Sequence, residues 1–146
     1  MPSPLNINRL DEVSPDDPVA SVRAILAPGD SPRPVCGVRA SGCHLCSSVS
    51  VYLYDCERRT GAVTSPLLVQ LRGRFGGESE VIFSGTLSAF TDWSQTGSIA
   101  HAGGRLYDGF ELWAASGEYT NTTVTVRWHV AFNAPCAPYA TGGTLV

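Results

Sequence analysis

From Thr123 to Val130 polar and apolar side chains alternate without a break, and Ala131 and Phe132 keep the same two sides. Val124, Val126, Trp128, Val130 and Phe132 fall on one side; Thr123, Thr125, Arg127, His129 and Ala131 fall on the other. A period of two is incoherent around a helix, where successive side chains turn by ~100°. In a strand it sorts them onto two faces. A chain with such a segment must build a sheet that buries one face.

Much of the chain between Val35 and Phe132 obeys the same rule. Ser47–Tyr54 sets Val49, Val51 and Leu53 against Ser50, Tyr52 and Tyr54, and Leu67–Arg72 repeats the alternation with Leu67, Val69 and Leu71. Val81–Phe83, Thr86–Phe90 and Phe110–Ala114 are shorter strand candidates. Gly73–Gly77 reads as a loop, Ser84-Gly85 as a break and Asp108-Gly109 as a turn dipeptide. About eight strands at this spacing predict an all-β fold, an antiparallel β-sandwich or jelly roll. Val49, Val51, Leu53, Leu67, Val69, Leu71 and the apolar side of 122–132 are expected to share one interior. The chain has 146 residues, the length of one domain, and its 43% apolar content is enough for a core. It holds no lysine and is rich in Gly, Ser, Thr, Pro and Val, a mix that disfavours exposed helices.

Seven of the ten prolines lie in residues 1–34. Proline removes a backbone donor and fixes φ, so this stretch is expected to be an extended arm with little part in the β domain. Scattered apolar residues, Leu5, Ile7, Leu10, Val13 and Val19–Leu26, suit an arm that lies on its own domain or on a neighbour, with Val19–Leu26 a short strand or a helical turn or two. The expected division is an arm at 1–34, a β-sandwich domain at 35–133 and an extended tail at 134–146.

The net charge is −3, with all ten basic residues arginine, which speaks against a nucleic-acid partner. No apolar run approaches the ~18 residues of a membrane span. The first residues, Met1–Asn8, lack the basic start and apolar stretch of a signal peptide, so no membrane or secretory route is expected.

Cys36, Cys43, Cys46 and Cys56 fall within 21 residues, and Cys136 stands alone in the tail. Cys43-His44-Leu45-Cys46 is a C-x2-C, so a four-cysteine zinc site is one reading; disulfides and buried thiols are the others. An odd count leaves one cysteine over, and Cys136, flanked by prolines, is placed to reach a second chain.

The sequence has none of the common nucleophile, zinc-protease or nucleotide-binding motifs, and neither an enzyme nor a cofactor is expected. His129 lies mid-strand on the polar face, His44 adjoins the cysteines, and His101 has no acidic neighbour in sequence. Glu78 and Glu80 are a candidate carboxylate pair for acid–base work or calcium, or simply a solvated strand end. Asn121-Thr122-Thr123 matches a glycosylation sequon. Tyr52, Tyr54 and Trp113 lie opposite the expected core positions, and Trp93 lies in a loop. Aromatics so placed stack on sugars, anchor a protein interface, or lie beneath a second sheet.

The layout as a whole resembles that of small decoration, or cement, proteins of tailed-phage capsids. The resemblance is carried by the initiator Met without a leader, the proline-rich 1–34, the compact β domain 35–132 and the short tail around Cys136. It implies a structural virion protein on the capsid exterior, the major capsid protein as partner, and a homotrimer. Two other classes remain open: an extracellular carbohydrate-binding β-sandwich, and a jelly-roll shell subunit that self-assembles.

Overall fold

A computed structural model gives the architecture. It describes residues 10–42, 44–57, 67–87, 95–117 and 122–133. Cys43, Trp93 and Cys136 lie outside these residues, as does the sequon's Asn121. Nine strands are described: β1 (Leu10–Val13), β2 (Val19–Leu26), β3 (Arg33–Ala40), β4 (Cys46–Glu57), β5 (Leu67–Phe75), β6 (Glu78–Leu87), β7 (Gln95–Tyr107), β8 (Gly109–Ala115) and β9 (Thr122–Phe132). They form two sheets, a five-stranded one in the order β1-β3-β8-β5-β6 and a four-stranded one in the order β2-β9-β4-β7. Every pairing is antiparallel except that of β1 with β3.

The pairing has a simple rule. β5 pairs with β6, β4 with β7, β3 with β8 and β2 with β9. The chain is therefore one long antiparallel hairpin, whose successive strand pairs fall alternately in the two sheets.

The alternation read from the sequence sets the two faces. Leu67, Val69 and Leu71 are fully buried, while Leu68, Gln70 and Arg72 between them are half-buried. Val49, Val51, Leu53, Val124, Val126, Trp128 and Val130 are buried as expected, and Phe132 packs against the core at its margin. The buried faces of both sheets form a single hydrophobic cluster. Each fully buried Val or Leu contributes about 1.5–3 kcal/mol relative to exposure.

The N-terminal region differs from expectation. β1 lies along β3, and β2 pairs with β9 over all eight of its residues, Val19 opposite His129 through Leu26 opposite Thr122. Val13, Ala24 and Leu26 are buried in the common core. Residues 10–34 thus close one edge of each sheet instead of forming a separate arm. The prolines permit this because they fall between strands or at an irregularity. Pro15 lies within the β1–β2 turn and Pro18 just after it, and Pro28 and Pro32 lie in the β2–β3 connection. Pro34 sits where the β3–β8 register shifts and where β1 does not extend.

Three local readings also change. Gly73–Phe75 belongs to β5, so the hairpin loop is only Gly76-Gly77, both at positive φ (59° and 84°), where glycine is at ease. Ser84-Gly85 does not divide β6; the Phe83 ring stands 3.3 Å from where a Gly85 side chain would begin and fills its place. Asp108-Gly109 is no hairpin turn but the corner where the chain leaves β7 and enters the other sheet as β8.

Candidate functional site

The three described cysteines do not gather. Cys46 and Cys56 lie ten residues apart on the single strand β4, hence roughly 33 Å apart at ~3.3 Å per residue. Neither one zinc ion nor one disulfide spans that distance. Cys36 lies on β3 in the other sheet, facing the core opposite Leu112. All three are buried thiols. No group of three or more metal-ligating side chains occurs among the described residues. Burial, with the nearby Asp108 carboxylate second, pushes the Cys46 thiol up to about 12. Buried positions cannot meet another subunit, so of the five candidates for an inter-subunit bridge only Cys43 and Cys136 remain. The odd count no longer forces such a bridge.

The histidines lie on three different segments of the chain, whereas Glu78 and Glu80 stand two residues apart on β6, both exposed on one face. His44 donates its Nδ1–H to the Ser41 carbonyl (2.9 Å) and meets Phe132 edge-on. His129 is exposed on β9. His101 lies near Tyr107, with its Nε2 buried and unpartnered among the described residues. Glu80 accepts a hydrogen bond from the Tyr107 hydroxyl (2.7 Å) and lies 3.8 Å from Arg105. Tyr107 fits because Gly73 has no side chain where its ring lies. Burial first, and the Glu80 hydrogen bond second, push the Tyr107 phenol up to about 12. This group joins the end of β7 to β5 and β6, which makes it a seam between the sheets.

The aromatic residues lie on two different surfaces. Trp113 is on the outer face of the five-stranded sheet. There Arg72 lays its guanidinium 3.8 Å over the indole ring, and Arg72 Nε donates to Gln70 (3.0 Å). Trp113 Nε1 donates to Glu111 (2.9 Å), and Arg74 donates to the other oxygen of Glu111. Glu111 is only 6% exposed although it points away from the core. Its strand neighbour Gly37 is covered by Leu10, whose Cδ2 stands 2.6 Å from where a side chain on Gly37 would begin. At the margin Arg39 pairs with Glu12 at 3.0 Å. This face is internally neutralised and tied across β1, β3, β8 and β5. None of these partnerships is legible in the sequence, because each joins residues brought together by strand register.

Tyr52 and Tyr54 are on the outer face of the four-stranded sheet. Tyr52 is 39% exposed and lies opposite Arg127, whose guanidinium is 6.0 Å from its ring centroid. Arg127 is exposed and forms no ion pair among the described residues. Around it the register places Ser21, Ser50 and Ser98, Thr125 and Ala100, all small. Ile25, at the edge of the same face, is 72% exposed. Arg23 spans three strands here, donating to the Thr123 and Thr125 hydroxyls (2.9 Å each) and to the Asp55 carbonyl (2.6 Å). Asp55 has φ 52°, the left-handed backbone of the bulge in β4 that turns its carbonyl toward Arg23.

Comparison with known proteins finds no family model that matches the chain and no curated protein that matches it.

Proposed function

We propose that the chain is a structural binding subunit, a decoration or cement protein that docks on the major capsid protein at the outside of a phage capsid and stabilises the shell. The observation that carries this reading is the division of the aromatics. A sugar platform needs open aromatic rings on one surface. Here Trp113 is roofed by Arg72, and Tyr52 and Tyr54 belong to the other sheet. The four-stranded sheet leaves Tyr52, Arg127, His129, Arg23 and Ile25 exposed among small residues. Tyr and Arg are enriched where proteins bind proteins. An exposed apolar side chain amid a flat polar surface suits the same use.

The rolled hairpin supports a jelly roll as the finer description of the fold, with β1 added at one edge. Jelly rolls build viral capsid domains and also lectins, so the fold alone carries no function. It does favour a second reading, a shell subunit that assembles by itself.

The test is to mix the purified chain with capsids that lack it, sediment them, and follow both the bound fraction and the temperature of shell disruption. Binding that saturates, with a raised disruption temperature, supports the decoration reading. Closed shells of the chain alone under the electron microscope replace it with the shell subunit. Retention on a glycan array without capsid binding replaces it with the sugar module.

A further inference from the structure

We infer that the Arg127 face of the four-stranded sheet seats the acidic turn between β1 and β2 of a second copy of this chain. This head-to-tail contact builds the oligomer. The inference rests on the reading of that face as a protein-contact surface.

The turn is built to be presented. Ser14 and Asp17 exchange two backbone hydrogen bonds, at 3.1 and 3.0 Å, and the Ser14 hydroxyl accepts a third from the Asp17 N–H at 3.2 Å. Pro15 fixes its own φ. Pro15, Asp16 and Asp17 are all exposed, and neither aspartate forms an ion pair among the described residues. Two carboxylates therefore stand on a tip that loses little freedom on binding.

The seat offers the complementary charge. Among the described arginines, Arg39, Arg74 and Arg105 lie against carboxylates, Arg72 lies on Trp113, and Arg23 is bonded to hydroxyls and a carbonyl. Among the described residues Arg127 has only the Tyr52 ring, at 6.0 Å; Arg33, which likewise meets no carboxylate there, starts β3 in the opposite sheet. Exposed His129 lies beside it on the same strand face. The acidic turn cannot serve its own Arg127. Arg127 pairs with Ser21, four residues beyond Asp17 along the chain, roughly 13 Å away in an extended strand. The contact is satisfied only between copies. Turn and seat are different patches, so the contact is heterologous and closes into a ring when the rotation permits.

The experiment is sedimentation velocity of the full chain at ionic strengths from about 0.01 M to about 1 M, across which the screening length falls from ~30 to ~3 Å. The wild-type chain is expected to associate at low salt and dissociate at high salt. Asp16→Arg with Asp17→Arg, and separately Arg127→Asp, should each weaken association by ~10-fold or more, the range of close charge pairs across an interface. Mixing the two reversed chains should restore a complex, since the basic turn of one then meets the acidic seat of the other. Arg127→Gln, which removes charge without reversing it, guards against a folding defect and should fall between. A chain that stays monomeric at every salt, or an oligomer that neither reversal weakens, overturns the proposal. A monomeric chain that still sediments with capsids overturns this contact and leaves the decoration reading standing. A salt-sensitive oligomer that ignores capsids does the reverse.

Discussion

On the outer face of the five-stranded sheet the arginines are spent at home. Arg74 holds Glu111, Glu111 holds Trp113, Arg72 covers the Trp113 ring, and Arg39 holds Glu12. On the four-stranded sheet Arg127 leans loosely toward Tyr52 and meets no carboxylate among the described residues. The difference lies in who the neighbours are. β8 places a glutamate in the row between β3 and β5, whereas β9 offers threonine, histidine and alanine in the rows around Arg127. Aromatic and cationic side chains on a sheet surface stabilise the fold where an acid joins them. Where no acid does, the same residue types are left for a partner.

Four experiments test that contrast. The largest effect belongs to the region that frames both faces. Deleting residues 1–34 removes β1 from one sheet and β2 from the other, with Val13, Ala24 and Leu26 from the core. The truncated chain is expected to lose its cooperative thermal transition, read by circular dichroism. A sharp transition near that of the full chain would restore the detachable arm.

Next comes Glu111→Ala, which leaves the Arg74 guanidinium without its acid and the Trp113 N–H without its acceptor. Glu111 is almost wholly buried, so the loss is expected to be about 3 kcal/mol in urea denaturation, the range for breaking a buried pair from one side. A cost as small as that of a surface charge would show that this face is not an internal stabiliser.

The sequence displayed the first layer of this structure and concealed the second. Alternation in β9, β4 and β5 exposes which side is buried, because burial acts residue by residue along one strand. β7 was not legible, since glycines at 97, 103 and 104 interrupt any pattern of side chains. Proline count hides that β1 and β2 belong to the sheets, although the prolines stand where no ladder hydrogen bond is needed and Val19–Leu26 reads as a short strand or a helical turn. Proximity in sequence misled for the cysteines, because a strand carries Cys46 and Cys56 apart at more than 3 Å per residue. Arg72 and Trp113 meet only because Gln70 and Trp113 are register partners on adjacent strands. Local composition carries no trace of such pairs.

The seam between the sheets gives a smaller, pH-dependent effect. The Tyr107 phenol sits at about 12 in the folded chain against an ordinary 10.0, chiefly through burial. The unfolded chain therefore loses this proton first as pH rises. The stabilisation is complete below pH 10 and is lost as pH climbs to about 12. The Cys46 thiol, raised from 9.0 to about 12, adds a loss of the same sign beginning one unit lower. Tyr107→Phe should flatten the decline above pH 10 and leave the Cys46 part. The measurement is urea stability against pH, with ultraviolet titration of tyrosinate alongside. Equal slopes in both proteins would place the alkaline loss elsewhere.

The smallest effect on stability is expected at Arg127, and that smallness is the point of the contrast. Arg127→Ala removes a side chain that is exposed, makes no ion pair among the described residues and stands 6.0 Å from the Tyr52 ring. A cation over tyrosine at that distance, open to water, contributes at most about 0.5–1 kcal/mol. Surface substitutions of this kind usually fall within about 0.5 kcal/mol of wild type. The variant should therefore denature at nearly the wild-type urea concentration while losing self-association at low salt. Arg72→Ala should do the opposite. It strips the cover from Trp113 and leaves Gln70 without its donor, so it should lower stability by about 1 kcal/mol and leave association unchanged. The two variants together form a crossed test, each moving the quantity the other leaves alone. If both lower stability equally and neither touches association, the two faces are the same kind of surface. The four-stranded sheet would then hold no seat.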